Sequence, residues 1–188
     1  MGTNTEYTMN IAGMDCVLPL CKIGEDLQIG AFVMFGQPKL TVHVAKELLK
    51  KAPEFDVMLT AESKGIPLIH EMARQSGAET YVVARKKPKL YMRDIHTVTV
   101  RSITTVDLQQ LCLSGDDCDL IRGRRVLIVD DVISTGESLR SMETLVNDIG
   151  GNIVGKMAVL AEGEAADRED IICLEKLPLF HADGTPIE

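Results

Sequence analysis

Residues 124–139 read RRVLIVDDVISTGESL, and this stretch decides the fold. Four apolar residues at 126–129 form an uninterrupted run that is typical of a strand buried on both faces. Two adjacent carboxylates, Asp130 and Asp131, follow at the point where such a strand would leave its sheet. Small and hydroxyl residues come next, and apolar residues then recur at helical spacing until Gly150. The stretch therefore predicts a strand, an acidic pair, a small-residue loop and a helix.

Each part of this unit has a chemical use. A loop that opens a helix presents free N–H groups at the positive end of the helix dipole, which favours a phosphate. Gly136 lets the backbone approach closely, and Thr135 and Ser138 add hydroxyls. Asp130 and Asp131 repel phosphate but accept hydrogen bonds from a sugar diol. These residues predict a ribose 5-phosphate held at both ends; a metal site, an acidic pocket like that of response regulators and an ordinary helix cap remain alternatives.

Composition narrows the class of protein. The chain has 188 residues, of which 45% are hydrophobic and 26% charged, as expected of one soluble globular domain. Its net charge of −8 argues against non-specific nucleic-acid binding, which needs a surplus of Lys and Arg. No run of 18 apolar residues and no secretory signal are visible, so we expect a cytoplasmic protein that does not enter a membrane. Five cysteines without C-x-x-C spacing favour free thiols, and no protein metal site is predicted.

The rest of the chain alternates strands and helices. Strands are predicted at 56–60, 80–84, 153–160 and 171–174, and helical stripes at 40–49 and 66–73. This order is typical of a doubly wound α/β fold, in which helices cover both faces of a parallel sheet. Three segments without clear periodicity complete the prediction: short strands or irregular structure at 1–35, a solvent-facing acidic loop at 162–170, and an irregular tail at 177–188.

Three polar stretches follow three of the predicted strands, at 62–65, 85–89 and 130–138. Because ligands of parallel sheets bind beyond the carboxyl ends of the strands, we expect the three stretches to converge. Residues 85–93 (RKKPKLYMR) hold five basic residues in nine, which suggests a clamp for a polyphosphate, although a solvated loop is the alternative. Residues 94–113 alternate loosely, which predicts a projecting hairpin with poorly packed ends, a candidate lid.

Three motifs resemble those of one enzyme family. VLIVDDVISTGES at 126–138 resembles the phosphoribosyl pyrophosphate (PRPP) motif of the type I phosphoribosyltransferases. AESKGIP at 61–67 resembles their pyrophosphate loop, and VARKKPKLYM at 83–92, leading to SITT at 102–105, resembles their flexible lid. The resemblance covers about residues 10–175 and is to the purine branch, the adenine and xanthine enzymes. It implies a single domain over 1–188, with a small N-terminal hood at about 10–35 and a flexible hairpin lid at about 86–105.

The resemblance also implies a reaction. Ribose 5-phosphate would pass from PRPP to a purine nitrogen, releasing pyrophosphate, with Mg²⁺ held mostly by substrate and water and with a homodimer as the assembly. Asp130 and Asp131 would hold the ribose hydroxyls and, with Lys64, carry catalysis. The 5-phosphate would be held by Ser134, Thr135, Gly136, Glu137 and Ser138. The pyrophosphate would be held by Glu62, Ser63, Lys64, Gly65, Arg85, Lys86, Lys87 and Lys89.

Two positions depart from the family pattern. Ser134 stands where the 6-oxopurine enzymes usually have an Asp that acts as a base, which favours an adenine or xanthine type and removes the obvious general base. Glu137 stands where Gly is frequent. In the hood, Phe32 and Phe35 could stack on a base, but core packing is the expected role of both. A PRPP- or nucleotide-sensing regulator on the same fold, a pyrimidine enzyme and a PRPP synthase remain alternatives.

Overall fold

The computed structural model describes residues 4–101 and 108–187. Eleven strands and four α-helices are present in these two ranges. In chain order they are β1 (Glu6–Ile11), β2 (Met14–Lys22), β3 (Leu27–Gly30), α1 (Pro38–Lys51), β4 (Val57–Ala61), α2 (Ile66–Ser76), β5 (Val82–Ala84), β6 (His96–Arg101), β7 (Leu108–Leu113), α3 (Gly115–Ile121), β8 (Arg125–Ile133), α4 (Glu137–Ile149), β9 (Asn152–Glu162), β10 (Ile172–Leu177) and β11 (Phe180–His181).

The central sheet has five parallel strands in the order β10-β9-β8-β4-β5. One face packs against α4 and the β6–β7 pair, and the other packs against α1, α2 and the N-terminal strands. Side chains from both faces of β8 are fully buried, as the apolar run at 126–129 predicts. The predicted doubly wound α/β fold is confirmed, and so are its five strands and three helices.

Local signals explain where the helices begin and end. Pro38 opens α1, and Pro67 lies in the first turn of α2, where a missing N–H leaves no hydrogen bond unmade. Gly77 and Gly150 end α2 and α4 in the left-handed conformation that glycine adopts without steric cost. The short helix α3 was not predicted. Ser114 caps it by accepting a hydrogen bond from the Asp117 N–H.

The predicted hood segment forms an antiparallel sheet in the order β1-β2-β3-β11. Its last strand comes from the C-terminal tail, so the prediction of an irregular tail is wrong at 180–181. The Phe180 side chain is fully buried, and its ring centroid lies 4.8 Å from that of Tyr7. This buried aromatic contact stabilises the packing of the tail on the hood, where β11 pairs with β3.

The predicted hairpin is present as the antiparallel pair β6–β7. Its end nearer the sheet is well packed, because Val98, Leu111 and Leu113 are buried against the core on the α4 face. The expectation of poorly packed ends is therefore wrong for this end. Two backbone hydrogen bonds, of 2.9 and 2.8 Å, join Arg85 to Cys112 and tie β7 to the end of β5. The SITT segment of the predicted lid, at 102–105, lies outside the described residues.

The acidic segment at 162–170 faces solvent over most of its length, as predicted, but Glu162 and Ala165 are buried. Glu162 is the last residue of β9 and only 6% exposed. A 3₁₀-helix at Gly163–Asp167 follows, and its Ala165 is buried in the core. The prediction is therefore wrong at Glu162, whose carboxylate lies inside the protein, and at 163–167, where a 3₁₀-helix replaces the loop, whereas the remaining carboxylates are exposed as predicted.

Candidate active site

Asp130 and Asp131 lie inside β8, not beyond its end. On the β9 side, pairing continues to Ile133 opposite Ala161. On the β4 side, pairing ends with Ile128 opposite Leu59. The sequence prediction that the acidic pair follows the strand is thus wrong in detail, since β8 leaves β4 before it leaves β9. Asp130 and Asp131 occupy the part of β8 that is free of β4, and their residues are only 6% and 4% exposed.

The Asp130 carboxylate is held by polar groups around it. Its Oδ1 atom accepts hydrogen bonds from Ser63 Oγ, at 3.2 Å, and from the Asp131 N–H, at 2.9 Å. Burial raises the pKa of Asp130 well above its ordinary value, and the charge of Asp131 adds to that rise. The pair therefore resists full ionisation, as expected where two carboxylates share a buried position.

Lys64 connects the acidic pair with the hood. Its Nζ atom lies 3.1 Å from Asp131 Oδ2 and donates a 2.8 Å hydrogen bond to the backbone oxygen of Phe32. Phe32 itself is 2% exposed, which confirms its predicted place in the core, whereas Phe35 is 56% exposed and the same prediction for it is wrong. The cation predicted to meet pyrophosphate is thus paired with a carboxylate predicted to hold the sugar.

Gly65 lets the predicted pyrophosphate loop lie against the acidic pair. A Cβ atom built on Gly65 would lie 2.8 Å from Thr60 Oγ1 and 3.0 Å from Asp130 Oδ1, both closer than van der Waals contact. Gly65 also caps α2, so the N–H groups of the first turn of that helix open beside the same loop. Glycine is required here because the loop backbone comes close to Thr60 and Asp130, not because the backbone adopts a positive φ angle.

Glu62 holds the basic segment 85–89 in place. Its Oε1 atom lies 3.1 Å from Lys89 Nζ and 3.6 Å from Arg85 Nη1, and its Oε2 atom accepts a 3.2 Å hydrogen bond from the Lys86 N–H. The Lys86 N–H and the Lys89 ammonium lower the pKa of Glu62. Glu62 was predicted to bind pyrophosphate, but its carboxylate contacts the cations predicted to do so.

The three predicted stretches meet around one cavity of about 380 Å³. Ser63 comes from the first stretch, Lys86 and Lys87 from the second, and Ser138 from the third. Ala61, Gln110 and Leu111 complete the lining, so β7 of the hairpin forms one wall. The convergence expected at the carboxyl edge of the sheet is confirmed.

The predicted phosphate loop has the backbone geometry of an anion-binding turn. Gly136 has a φ of +75° and immediately precedes α4, whose first-turn N–H groups open toward the loop. Thr135 Oγ1 accepts a 3.5 Å hydrogen bond from the Glu137 N–H. Ser134 and Ser138 lie on either side of this turn, and Ser138 reaches the cavity. The loop therefore offers amides and hydroxyls together.

Glu162 is a site residue that the sequence analysis missed. Burial raises its pKa, while a hydrogen bond from the Ser134 side chain and the positive charge of Lys64 oppose that rise. Groups of both the phosphate loop and the pyrophosphate loop therefore act on the Glu162 carboxylate. Its place at the carboxyl end of a predicted strand was the signal that could have found it.

Within residues 4–101 and 108–187, no three His, Cys, Asp or Glu side chains are grouped so that they could hold a metal ion. Over the same ranges, no helix combines the length and the hydropathy that a membrane span needs.

The fold and the site define an α/β protein in which three polar loops enclose a cavity at the carboxyl edge of a parallel sheet. Residues 39–183 match the family model described as phosphoribosyl transferase domain. The chain belongs to the phosphoribosyltransferase family.

Known proteins of this family resemble the chain over most of its length. It is 30% identical over 142 residues to a xanthine phosphoribosyltransferase of Lactobacillus acidophilus, covering 74% of this chain and 73% of that protein. It is also 30% identical over 139 residues to an orotate phosphoribosyltransferase of a Thermoanaerobacter species, covering 73% of this chain and 58% of that protein. The crystal structure of an adenine phosphoribosyltransferase from Thermoanaerobacter pseudethanolicus matches its fold with a TM-score of 0.68 and 20% identity, covering 92% of this chain and 95% of the other.

Proposed function

We propose that this phosphoribosyltransferase transfers ribose 5-phosphate from PRPP to a purine base of the adenine or xanthine type, in purine salvage. The products are a nucleoside 5′-monophosphate and pyrophosphate. The observation that carries the proposal is the convergence of Ser63, Lys86, Lys87 and Ser138 on one cavity beside the buried acidic pair. The cavity would take the diphosphate, and the acidic pair and the turn beside it would take the sugar diol and the 5-phosphate.

The reaction breaks the bond between the anomeric carbon and the pyrophosphate oxygen, which leaves with the electron pair. A purine nitrogen forms the new bond to that carbon, and its proton passes to the departing pyrophosphate or to water. Positive charge develops on the sugar, where Asp130 and Asp131 would stabilise it, and negative charge grows on pyrophosphate. One well-placed group that meets charge only in the transition state contributes about 3–4 kcal/mol.

Lys64 has two roles in this proposal. Without substrate it neutralises Asp131 at 3.1 Å and anchors to Phe32. With PRPP bound, it would turn toward the leaving pyrophosphate and leave Asp131 free to meet the ribose. Lys86 and Lys87 line the cavity and would meet the same pyrophosphate, while Glu62 holds their segment in position.

We propose Mg²⁺ as the cofactor. The donors near the cavity are the carboxylates of Asp130 and Asp131, hard oxygen ligands of the kind that Mg²⁺ accepts. Because both carboxylates are assigned to the ribose hydroxyls, the ion would be held mostly by pyrophosphate and water, which fits an ion that keeps several waters. When bound, Mg²⁺ supplies positive charge that offsets the charge of the leaving group.

The base is proposed to be a purine for two reasons. The basic segment 85–93 fits the purine branch better than the pyrimidine branch, and the xanthine relative belongs to the purine branch. Ser134 occupies the position of the 6-oxopurine base catalyst, which favours the adenine or xanthine type. A homodimer, which the family resemblance implies, and a cytoplasmic location, which the sequence favours, are further predictions.

Turnover of PRPP with a panel of bases tests the proposal. Adenine, xanthine, hypoxanthine, guanine, uracil and orotate would each be supplied with PRPP and Mg²⁺, and pyrophosphate release measured. We expect release with adenine or xanthine. Release with uracil or orotate alone would overturn the purine assignment, and PRPP binding without turnover of any base would favour the sensing regulator instead.

A further inference from the structure

The guanidinium group of Arg168 lies beside the phosphate loop. A Cβ atom built on Gly136 would lie 3.2 Å from Arg168 Nη1, so the arginine reaches the residue at which the loop turns into α4. Arg168 comes from the segment that follows β9, which the sequence analysis took for an acidic loop facing solvent. The fold therefore brings a cation to the loop from a segment with no resemblance to the PRPP motif.

The orientation of this arginine is fixed by its neighbours. Arg168 Nε donates to Asp170 Oδ1 at 2.9 Å, and Nη2 donates to Asp170 Oδ2 at 2.8 Å, which is the bidentate geometry of a strong guanidinium–carboxylate pair. Lys156 binds the same Asp170 and also Glu143 of α4, at 2.7 Å. A chain of ion pairs thus links α4, β9 and Arg168.

One nitrogen of Arg168, Nη1, takes no part in this network, and it is the nitrogen nearest the loop. Over the described parts of the chain, Nη1 makes no hydrogen bond, whereas Nε and Nη2 are both used. The Arg168 side chain is 37% exposed, and its Nη1 lies 3.2 Å from a Cβ built on Gly136 of the loop. A surface ion-pair network alone would stabilise the fold by at most about 1 kcal/mol per pair and would not require one donor to be left over.

We propose that Arg168 is a further binding residue for the 5-phosphate, which it meets through Nη1 at the turn formed by Gly136. The assignment rests on the proposed function, because it takes the loop at 134–138 as the phosphate seat. The phosphate seat follows two carboxylates, Asp130 and Asp131, in the sequence, and the chain carries a net charge of −8. The Arg168 guanidinium offsets the repulsion of the phosphate by these carboxylates. Its side chain is already ordered by the bidentate contact with Asp170, so binding does not have to order it.

Titration calorimetry with ribose 5-phosphate and, separately, with pyrophosphate tests this role. We expect Arg168→Ala to weaken ribose 5-phosphate binding about tenfold or more, as loss of a charge-assisted hydrogen bond does, and to change pyrophosphate binding less than about twofold. Arg168→Gln keeps the length of the side chain and should weaken ribose 5-phosphate in the same way. Arg74→Ala, which removes a surface arginine paired with Glu71 on α2, is the matched control and should change neither.

The outcomes separate this assignment from the proposed function. If a correctly folded Arg168→Gln variant binds ribose 5-phosphate as tightly as the wild type does, the role of Arg168 is overturned and the proposed function still stands. Equal weakening of both ligands would also overturn it, because it would mark a general effect of charge. Failure of the wild-type protein to bind either ribose 5-phosphate or PRPP would overturn the proposed function itself.

Discussion

The Nζ atom of Lys64 lies 3.1 Å from Oδ2 of Asp131, so a cation of the pyrophosphate loop neutralises a carboxylate of the PRPP motif across the carboxyl edge of the sheet. The contact links two stretches of sequence that chemistry assigns to opposite ends of the reacting bond. Because the Asp131 side chain is 5% exposed and that of Lys64 is 41% exposed, the lysine is the partner that can move.

Lys64→Ala should weaken pyrophosphate in the reverse reaction by about tenfold, because a direct charge on the diphosphate is lost. It should also lower the melting temperature, because Asp131 stays buried without its cation. The control is Lys64→Arg, which keeps the charge. Initial rates against pyrophosphate concentration, with thermal unfolding in parallel, give both quantities; unchanged pyrophosphate affinity in Lys64→Ala would contradict the role.

Asp130→Asn combined with Asp131→Asn should reduce turnover by at least about a hundredfold and change stability much less. Both carboxylates would stabilise charge on the sugar, whereas amides of the same shape cannot. Stability should be nearly preserved because neutral amides are cheaper to bury than two carboxylates at adjacent positions. Steady-state kinetics and urea unfolding check the two halves, and unchanged kinetics would remove the ribose assignment.

The stability of the ligand-free protein should depend on pH through Asp130. Its pKa is raised in the folded state, so ionisation is harder there than in the unfolded chain, and the group costs stability as the pH rises from about 4 toward its folded pKa. Asp130→Asn cannot ionise. We therefore expect the melting temperature of Asp130→Asn, minus that of the wild type, to increase as the pH is raised from about 5 to about 8. A difference that stays constant over this range would show that Asp130 ionises freely in the fold.

Gly65→Ala should destabilise the protein by about 1–3 kcal/mol, because the new methyl group overlaps Thr60 Oγ1 and Asp130 Oδ1. Gly24→Ala is the matched control, since a Cβ atom there meets nothing within 4 Å. Urea unfolding of both variants measures the free energies. If both variants lose the same free energy of unfolding, the predicted close contact between the loop and the acidic pair is contradicted.

Much of this architecture could be predicted because its signals are local. The apolar run at 126–129 and the glycine at 150 fix β8 and the end of α4 within a few residues. The three polar stretches converge because the carboxyl ends of parallel strands share one edge, and that follows from the fold class alone.

The errors have non-local causes. Whether Asp130 lies inside or beyond its strand depends on how far β9 extends beside it, and β9 pairs with β8 three residues past the acid. Phe180 joins the hood through β3, some 150 residues earlier in the chain. The burial of Glu162 and the orientation of Arg168 likewise depend on where β9 ends. The acidic composition of this segment does not indicate that position.

The most direct test of the central claim is a crystal structure with PRPP, or with ribose 5-phosphate and pyrophosphate, bound. We expect the 5-phosphate on the turn formed by Ser134–Ser138, the ribose hydroxyls on Asp130 and Asp131, and the diphosphate between Lys64 and the segment 85–89. A sugar phosphate bound elsewhere, with this turn empty, would contradict the account.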